Sequence, residues 1–262
     1  MQLSFITENE TFNFDSSNFF DLSIPIDFYG AQPNAFGVEN ATASPCAYGN
    51  ILGDTRNGGS CNFEEYRLIP HCNGTHTESI GHILNERSYL IETLTDVLIP
   101  CTLVSVETEE AKEPQRKMIT SNLLDAALTS APNTDISDAV VIRTLPNEIE
   151  KLTRQYNPET TPAFTSQAIE LLVQQNFRHL VCDLPSIDCM NDGGRLKNHR
   201  IFWNLPKEGF EKTPDARINN SVTELAFIPN EVPDGFYLLN LQITAFMADA
   251  SPSRPILFPL SK

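Results

Sequence analysis

Two continuous apolar runs dominate the hydrophobic pattern in the centre of the chain. The stretches DAVVIRT (138–144) and HLVCDLPSID (179–188) both end in polar residues, which is typical of buried strands that end at a crevice. Between them, Thr165 precedes Ile169 and Leu172, which are spaced three apart, so we predict a helix capped by Thr165. This strand–helix–strand order predicts a right-handed parallel crossover, with ligands at the carboxyl ends of its strands.

Further segments of β-type composition precede and follow this central unit. The first contains Pro25, which places it at a sheet edge or a strand end, whereas the charged stretch 107–117 is typical of a solvated loop. Together with the crossover they predict an α/β fold, a single domain over residues 1–262 with a large mixed β-sheet and flanking helices. These predicted strands are 19–28, 65–70, two within 88–106, and the late stretches VTELAFIP, FYLLNLQITAF and RPILFPL.

Composition and charge exclude several classes of partner. With 40% hydrophobic and 20% charged residues, the chain has the composition of a globular protein. Its formal net charge of −16 repels phosphate groups, so we expect neither a nucleic acid nor an anionic membrane surface as partner. No run of 18 apolar residues occurs in the sequence, and we therefore expect no membrane-spanning helix.

The start of the chain and the cysteines indicate a cellular compartment. The stretch MQLSFITENETFNFDSS lacks a basic region followed by an apolar core, so we expect no secretory signal. The six cysteines are scattered and form no C-x-x-C motif. Reduced thiols in the cytoplasm are therefore expected rather than a disulfide framework.

The segment HCNGTHTESIGH (71–82) concentrates three of the five histidines of the chain. Imidazole and carboxylate are good ligands for Zn²⁺ or Mn²⁺, and Zn²⁺ also accepts thiolate. On an extended backbone His76, Glu78 and Cys72 would face one side and His71 would point away. The residues alone leave two interpretations open, a polar loop or part of a metal site that needs further ligands from elsewhere in the chain.

The pattern GTH-x-E-x-x-GH in this segment resembles a known signature, His-x-Gly-Thr-His-x-Asp-x-Pro-x-His. That signature belongs to the metal-dependent cyclase family, which includes kynurenine formamidases and isatin hydrolases. DLSIPI (21–26) resembles the family's DLSHPI, and AVVIRT, a helix and LVCDLPSID resemble its central crossover. PDGFYLLNLQITAFMADASPSRPILF resembles its closing strands. The resemblance covers most of the chain and implies the family's fold, a swivelling β/β/α-like arrangement.

The resemblance also implies a set of functional residues. The family's metal ligands fall on His76, Glu78, His199 (in KNHRIFW) and Glu224 (in VTEL), and its catalytic histidine falls on His82. The implied cofactor is a divalent metal, with zinc expected and manganese as the alternative. Similar family members assemble as homodimers or homotetramers, so the resemblance implies a homo-oligomer.

Three positions of the signature depart from the family. Cys72 replaces its first His, Glu78 its Asp and Ile80 its Pro. Family members hold one or two metals, and the first His belongs to the more variable site. Cys72 is therefore a candidate ligand that suits zinc, or a packed thiol beside a single ion; we expect the single ion.

The activity implied by the resemblance is hydrolysis of a C–N bond in a small molecule. The substrate would be an amide, a formamide or a cyclic amide, as for arylformamidase or isatin hydrolase, and His82 would transfer the proton. Two alternatives stay open: a metal-dependent lyase or lactonase on the same scaffold, and a non-catalytic protein that binds a metal or a ligand. The presence of His82 argues against the second, because proton transfer and not structure requires it.

Overall fold

The fold is built mainly from β-strands, and the computed structural model describes it over residues 1–111 and 116–262. The strands are β1 (Gln2–Ile6), β2 (Thr11–Asp15), β3 (Phe20–Asp21), β4 (Thr42–Pro45), β5 (Ala47–Tyr48), β6 (Ile51–Leu52), β7 (Glu64–Arg67), β8 (His76–Glu78), β9 (Ile99–Val106), β10 (Glu109–Ala111), β11 (Arg116–Ile119), β12 (Ala139–Thr144), β13 (Ala163–Phe164), β14 (His179–Cys182), β15 (Ser221–Glu224), β16 (Gly235–Ile243) and β17 (Ala250–Pro259).

The helices are short and lie between these strands. None of the helices described in the two ranges has the length and apolar character of a membrane span. They are α1 (Pro70–Asn73), α2 (Leu90–Thr93), α3 (Ser121–Ser130), α4 (Ser166–Gln174) and α5 (Lys197–Phe202), with 3₁₀ turns at Thr55–Asn57, Ile80–His82, Thr134–Ile136 and Ile149–Leu152.

The main sheet closes on itself. Its strand order is β16-β9-β12-β14-β15-β8-β17-β3, and β16 also pairs with β17. The four strands β9, β12, β14 and β15 run parallel to their neighbours in this row, whereas β8, β16 and β17 pair antiparallel. The prediction of an α/β fold with a large mixed sheet is confirmed, and the closure of the sheet is an addition to it.

The central crossover follows its hydrophobic pattern. Strands β12 and β14 pair in parallel, and every residue of both strands is buried. Successive side chains of β12 point to opposite faces of the sheet. Val140 and Ile142 pack on one face in a cluster that includes residues of α3 and α4. Val141 packs on the other face against residues of β16 and β17. Helix α4 begins where predicted, because the Thr165 hydroxyl accepts the backbone N–H of Ala168 at 3.2 Å.

Three sequence predictions of local structure were wrong. Within 88–106, Leu90–Thr93 forms the helix α2, whose Leu90 is buried, and only Ile99–Val106 forms a strand, β9. Within the charged stretch 107–117, Glu109–Ala111 forms β10, which pairs antiparallel with β11 although both its glutamates are exposed; residues 112–115 lie outside the described part. The segment 65–70 does not extend into the histidine cluster, because α1 begins at Pro70.

Candidate metal centre

Two paired strands bring three of the predicted ligands together. His76 and Glu78 are two residues apart on β8 and therefore face the same side, and β15 places Glu224 opposite His76. The imidazole Nε2 of His76 lies 3.5 Å from Oε2 of Glu224. Donor atoms of these three buried side chains all lie within 4.8 Å of one another.

The residues before His76 fix the position of β8. The hydroxyl of Thr75 accepts the N–H of Ile24 at 2.8 Å and donates to the carbonyl of Leu225 at 2.5 Å. A Cβ atom at Gly74 would lie only 3.0 Å from the side chain of Ile26, so this close approach favours glycine. The Gly-Thr pair of the signature therefore holds β8 between the segment that follows β3 and the residue that follows β15.

The fourth predicted ligand, His199, comes from helix α5. Its Nε2 lies 2.7 Å from Oε1 of Glu78 and 3.4 Å from Oε1 of Glu224. Asp188 positions it, since this carboxylate accepts the Nδ1–H of His199 at 2.7 Å and the backbone N–H of Asn198 at 2.8 Å. The structure thus brings together four side chains, which we call the inner group: His76, Glu78, His199 and Glu224.

The tautomers of both histidines leave a lone pair facing the inner group. Nδ1 of His76 lies 3.0 Å from the carbonyl of Gly74, which can only accept, so this nitrogen bears the proton. The same argument applies to Nδ1 of His199 against Asp188. Both Nε2 atoms and Oε1 of Glu78 are buried without a hydrogen-bond partner in the described part of the chain, an arrangement that costs free energy unless a cation satisfies it. Two imidazole nitrogens and two carboxylates fit a divalent metal.

The electrostatics of the inner group favour a cation. Burial raises the pKa of Glu224, but the facing imidazoles of His199 and His76 outweigh it and lower this pKa. For Glu78, burial is likewise outweighed by the charges of His82 and His199, so its pKa also falls. Burial lowers the pKa of His199, yet the charge of Glu78 raises it well above its usual value, so without a metal Nε2 can also bind a proton, which a cation held by the inner group would replace. Two carboxylates that stay ionised inside the protein attract a positive charge.

A second group of donors, which we call the outer cluster, lies beside the inner group and consists of His71, His82 and Asp249. Nε2 of His71 and Nδ1 of His82 lie 3.3 and 3.6 Å from Oδ2 of Asp249. The same two nitrogens lie 3.4 and 3.5 Å from Oε2 of Glu78. The backbone N–H of Ser79 donates to the carbonyl of Asp249 at 2.9 Å, which ties the start of β17 to the turn that contains His82. The three side chains of the outer cluster are 25% to 39% exposed.

The sequence prediction for the first part of the cluster was wrong in its geometry. Residues 70–73 form the helical turn α1 rather than an extended strand, so His71 faces Glu78 instead of pointing away. Neither group of converging donors among the described residues contains Cys72. Burial, and then the charge of Glu224, raises the pKa of the Cys72 thiol, which opposes formation of a thiolate ligand.

Two residues of the outer cluster were missed from the sequence as site residues. His71 was assigned to the wrong side, although Pro70 was a usable signal, because proline favours the first position of a helix. Asp249 lies in a stretch of turn-type composition, ADASPSR, but directly precedes β17, whose first residue, Ala250, pairs with Glu78 and brings Asp249 to the site. That pairing joins residues far apart in the chain and leaves no local signal.

Asp188→Asn is expected to weaken metal binding about 10- to 100-fold, the usual effect of changing a partner that orients a metal-ligating histidine. The neutral amide would no longer favour the Nδ1–H tautomer of His199. Competition with a chromophoric chelator measures the dissociation constant, and Asp215→Asn, an exposed change of the same kind, is the control. An unchanged affinity in Asp188→Asn would show that Asp188 only caps α5.

Cys72→Ser is expected to leave metal content unchanged, because the thiol belongs to neither group of donors in the described residues. Elemental analysis of wild type and variant, purified side by side, measures the metal per chain. Loss of metal in the variant, with the melting temperature otherwise preserved, would return Cys72 to the ligand set.

Comparison with known proteins gives the family. The model of the cyclase family, described as "Putative cyclase", matches residues 20–189, and the chain belongs to this family. No curated protein matches the chain.

Solved structures of low identity share the fold. A predicted metal-dependent hydrolase from Bacillus stearothermophilus is 15% identical, with a TM-score of 0.59 and coverage of 92% of this chain and 98% of that one. Isatin hydrolase A from Labrenzia aggregata, bound to benzyl benzoate, is 12% identical, with a TM-score of 0.61 and coverage of 92% and 93%. Isatin hydrolase A from Ralstonia solanacearum is 11% identical, with a TM-score of 0.56 and coverage of 92% and 91%.

Proposed function

We propose that this protein is a metal-dependent hydrolase that cleaves the C–N bond of an amide, a formamide or a cyclic amide in a small molecule. The observation that supports this most is the buried inner group, in which unpaired donor atoms converge beside a partly exposed histidine, His82. Membership of the cyclase family and structural similarity to isatin hydrolases agree with the proposal.

The inner group is the proposed site of the metal, which we propose to be zinc, with manganese as the alternative. His76, Glu78, His199 and Glu224 would hold it through two imidazole nitrogens and two carboxylates. A divalent ion bound there supplies Lewis-acid activation of water and of the substrate carbonyl. Asp188 keeps His199 in the tautomer that such binding requires.

His82 is the proposed proton carrier. Its Nδ1 faces the carboxylates of Glu78 and Asp249, which favours a proton on this nitrogen and leaves Nε2 free to accept another. The side chain is 25% exposed, so water and substrate can reach it. Nε2 would accept the proton from the attacking water and return it to the leaving nitrogen of the substrate.

Turnover measured together with metal content tests the proposal. Apoprotein, protein with one equivalent of Zn²⁺ and protein with one equivalent of Mn²⁺ are assayed on N-formyl amines, cyclic amides and lactones. The expected result is metal-dependent release of an amine or opening of a cyclic amide. Turnover of lactones alone would support the lactonase alternative, and stoichiometric metal without any turnover would support the non-catalytic one.

A further inference from the structure

We propose that the buried ion pair of Lys151 and Asp183 positions the metal centre, because it holds the backbone segments that support Glu224. The same ion pair holds the start of the segment that ends at Asp188, the partner of His199. Lys151 and Asp183 belong neither to the inner group nor to the outer cluster. The inference rests on the metal site of the proposed function and not on its substrate.

Lys151 and Asp183 meet inside the protein. Nζ of Lys151 lies 2.7 Å from Oδ2 of Asp183, and the two residues are 3% and 0% exposed. The ammonium group also donates to the carbonyl of Thr144 at 2.7 Å and to Oδ1 of Asn147 at 3.1 Å, so each of its three N–H groups has an acceptor. In the described part of the chain, Oδ1 of Asp183 has no hydrogen-bond partner. The buried carboxylate therefore depends on Lys151 and on the backbone N–H of Thr144, which donates to Oδ2 at 2.9 Å.

The ion pair lies where strands β12 and β14 end. Thr144 is the last residue of β12, and Asp183 directly follows the last residue of β14. These are the carboxyl ends of two neighbouring parallel strands, the edge at which such sheets bind ligands. The ion pair therefore fixes the point at which segment 183–188 leaves the sheet.

Segment 183–188 supports two members of the inner group. The backbone N–H of Ile187 donates to Oε1 of Glu224 at 2.6 Å, and Asp188 accepts the Nδ1–H of His199 at 2.7 Å. All six residues of the segment are buried. A change in the direction of this segment would displace both contacts and, with them, the donor atoms that face the ion.

The residue after Glu224 has a strained backbone. Leu225 has a φ of 52°, in the left-handed region that a bulky side chain rarely adopts. Such a conformation costs free energy and persists only where the surrounding structure determines it, most often at functional sites. The N–H of Leu225 donates to the carbonyl of Leu184 at 2.9 Å, and Leu184 directly follows Asp183. Fixing Asp183 therefore also fixes an acceptor that keeps this conformation in place.

Asn147 extends the network to the chain beyond Leu225. Its Oδ1 accepts from Lys151, and its Nδ2 donates to the carbonyl of Ile228 at 2.7 Å and to Oδ1 of Asn230 at 2.9 Å. Lys151 is thus linked both to the segment that accepts the N–H of Leu225 and to the residues that follow it. This double connection gives the ion pair control over the direction in which the carboxylate before Leu225 points.

Asp183→Asn tests the proposal, because it keeps the shape of the side chain and removes the charge opposite Lys151. We expect the folded variant to bind Zn²⁺ and Co²⁺ about 10-fold more weakly than wild type, the lower end of the effect of changing a group that orients a metal ligand. The visible absorption spectrum of the Co²⁺-loaded protein should also change, since it reports the geometry of the ligands around the ion. Competition with a chromophoric chelator measures the affinity.

Asp96→Asn is the matched control at the other end of β14. The carboxylate of Asp96 accepts from Arg178 at 2.7 Å and lies 3.2 Å from Nε2 of His179, so it ties the amino end of the strand as Asp183 ties the carboxyl end. We expect this variant to have a lower melting temperature with unchanged affinity and spectrum. Unchanged affinity and spectrum in folded Asp183→Asn would show that the ion pair only stabilises the fold and would overturn the proposal. An equal loss of affinity in Asp96→Asn would overturn it too, because the effect would then be one of general destabilisation.

A double variant keeps the test decisive if the uncompensated ammonium of Lys151 prevents Asp183→Asn from folding. Asp183→Asn combined with Lys151→Met leaves no charge at this position, and the same loss of affinity and change of spectrum are expected. Turnover measured on the same Zn²⁺-loaded proteins separates the two proposals. Absence of turnover in wild type would count against the proposed hydrolase, and the dissociation constants would still decide the role of the ion pair.

Discussion

Glu224→Gln is expected to abolish tight metal binding and to lower turnover about 10³-fold or more, because a metal ion contributes several kcal/mol of transition-state stabilisation. The carboxylate of Glu224 faces Nε2 of both His76 and His199, so the substitution removes one of the two carboxylates of the inner group. The amide is isosteric, and its oxygen can still accept the N–H of Ile187, which now lies 2.6 Å from the carboxylate. The fold should therefore survive the substitution.

Metal content and thermal unfolding measure this result. Wild type should gain melting temperature when metal is added, because an ion that binds only the folded state stabilises it, and Glu224→Gln should gain none. Glu231→Gln is the matched control, since Glu231 is an exposed acid a few residues further along the chain. Full metal content in Glu224→Gln would move the carboxylate ligand elsewhere.

His82→Ala is expected to keep one equivalent of metal while kcat falls about 10²–10⁴-fold, the usual range for a general acid–base. His82 lies outside the inner group, and its Nδ1 faces Oε2 of Glu78, whereas the other carboxylate oxygen, Oε1, faces His199. Because the side chain is 25% exposed, added imidazole should reach the vacated space and restore part of the activity. Loss of the first equivalent of metal would instead make His82 a ligand of the inner group.

The central part of the fold was predictable because its signals are local. The apolar runs of β12 and β14 are buried on both faces, and Thr165 caps α4 through its own side chain. Closure of the sheet was not predictable in this way. It depends on β16 pairing with both β9 and β17, a choice of register that the alternation within one strand does not determine.

The candidate site also combines residues that the sequence predicts with residues that only the folded chain brings together. His76 and Glu78 share a face because any strand alternates its side chains, and the late ligands His199 and Glu224 were found by resemblance to a family signature. The outer cluster required two features absent from local pattern. One is the helical turn of α1, which turns His71 inward; the other is the pairing of β17 with β8, which delivers Asp249.

Anomalous scattering at the zinc edge, from crystals of protein loaded with one equivalent of Zn²⁺, locates the metal on which the proposed function depends. The proposed metal site predicts one strong peak in the inner group, within bonding distance of His76, Glu78, His199 and Glu224. A protein that takes up no zinc, or a peak coordinated by Cys72 or by surface acids instead of this group, would contradict it.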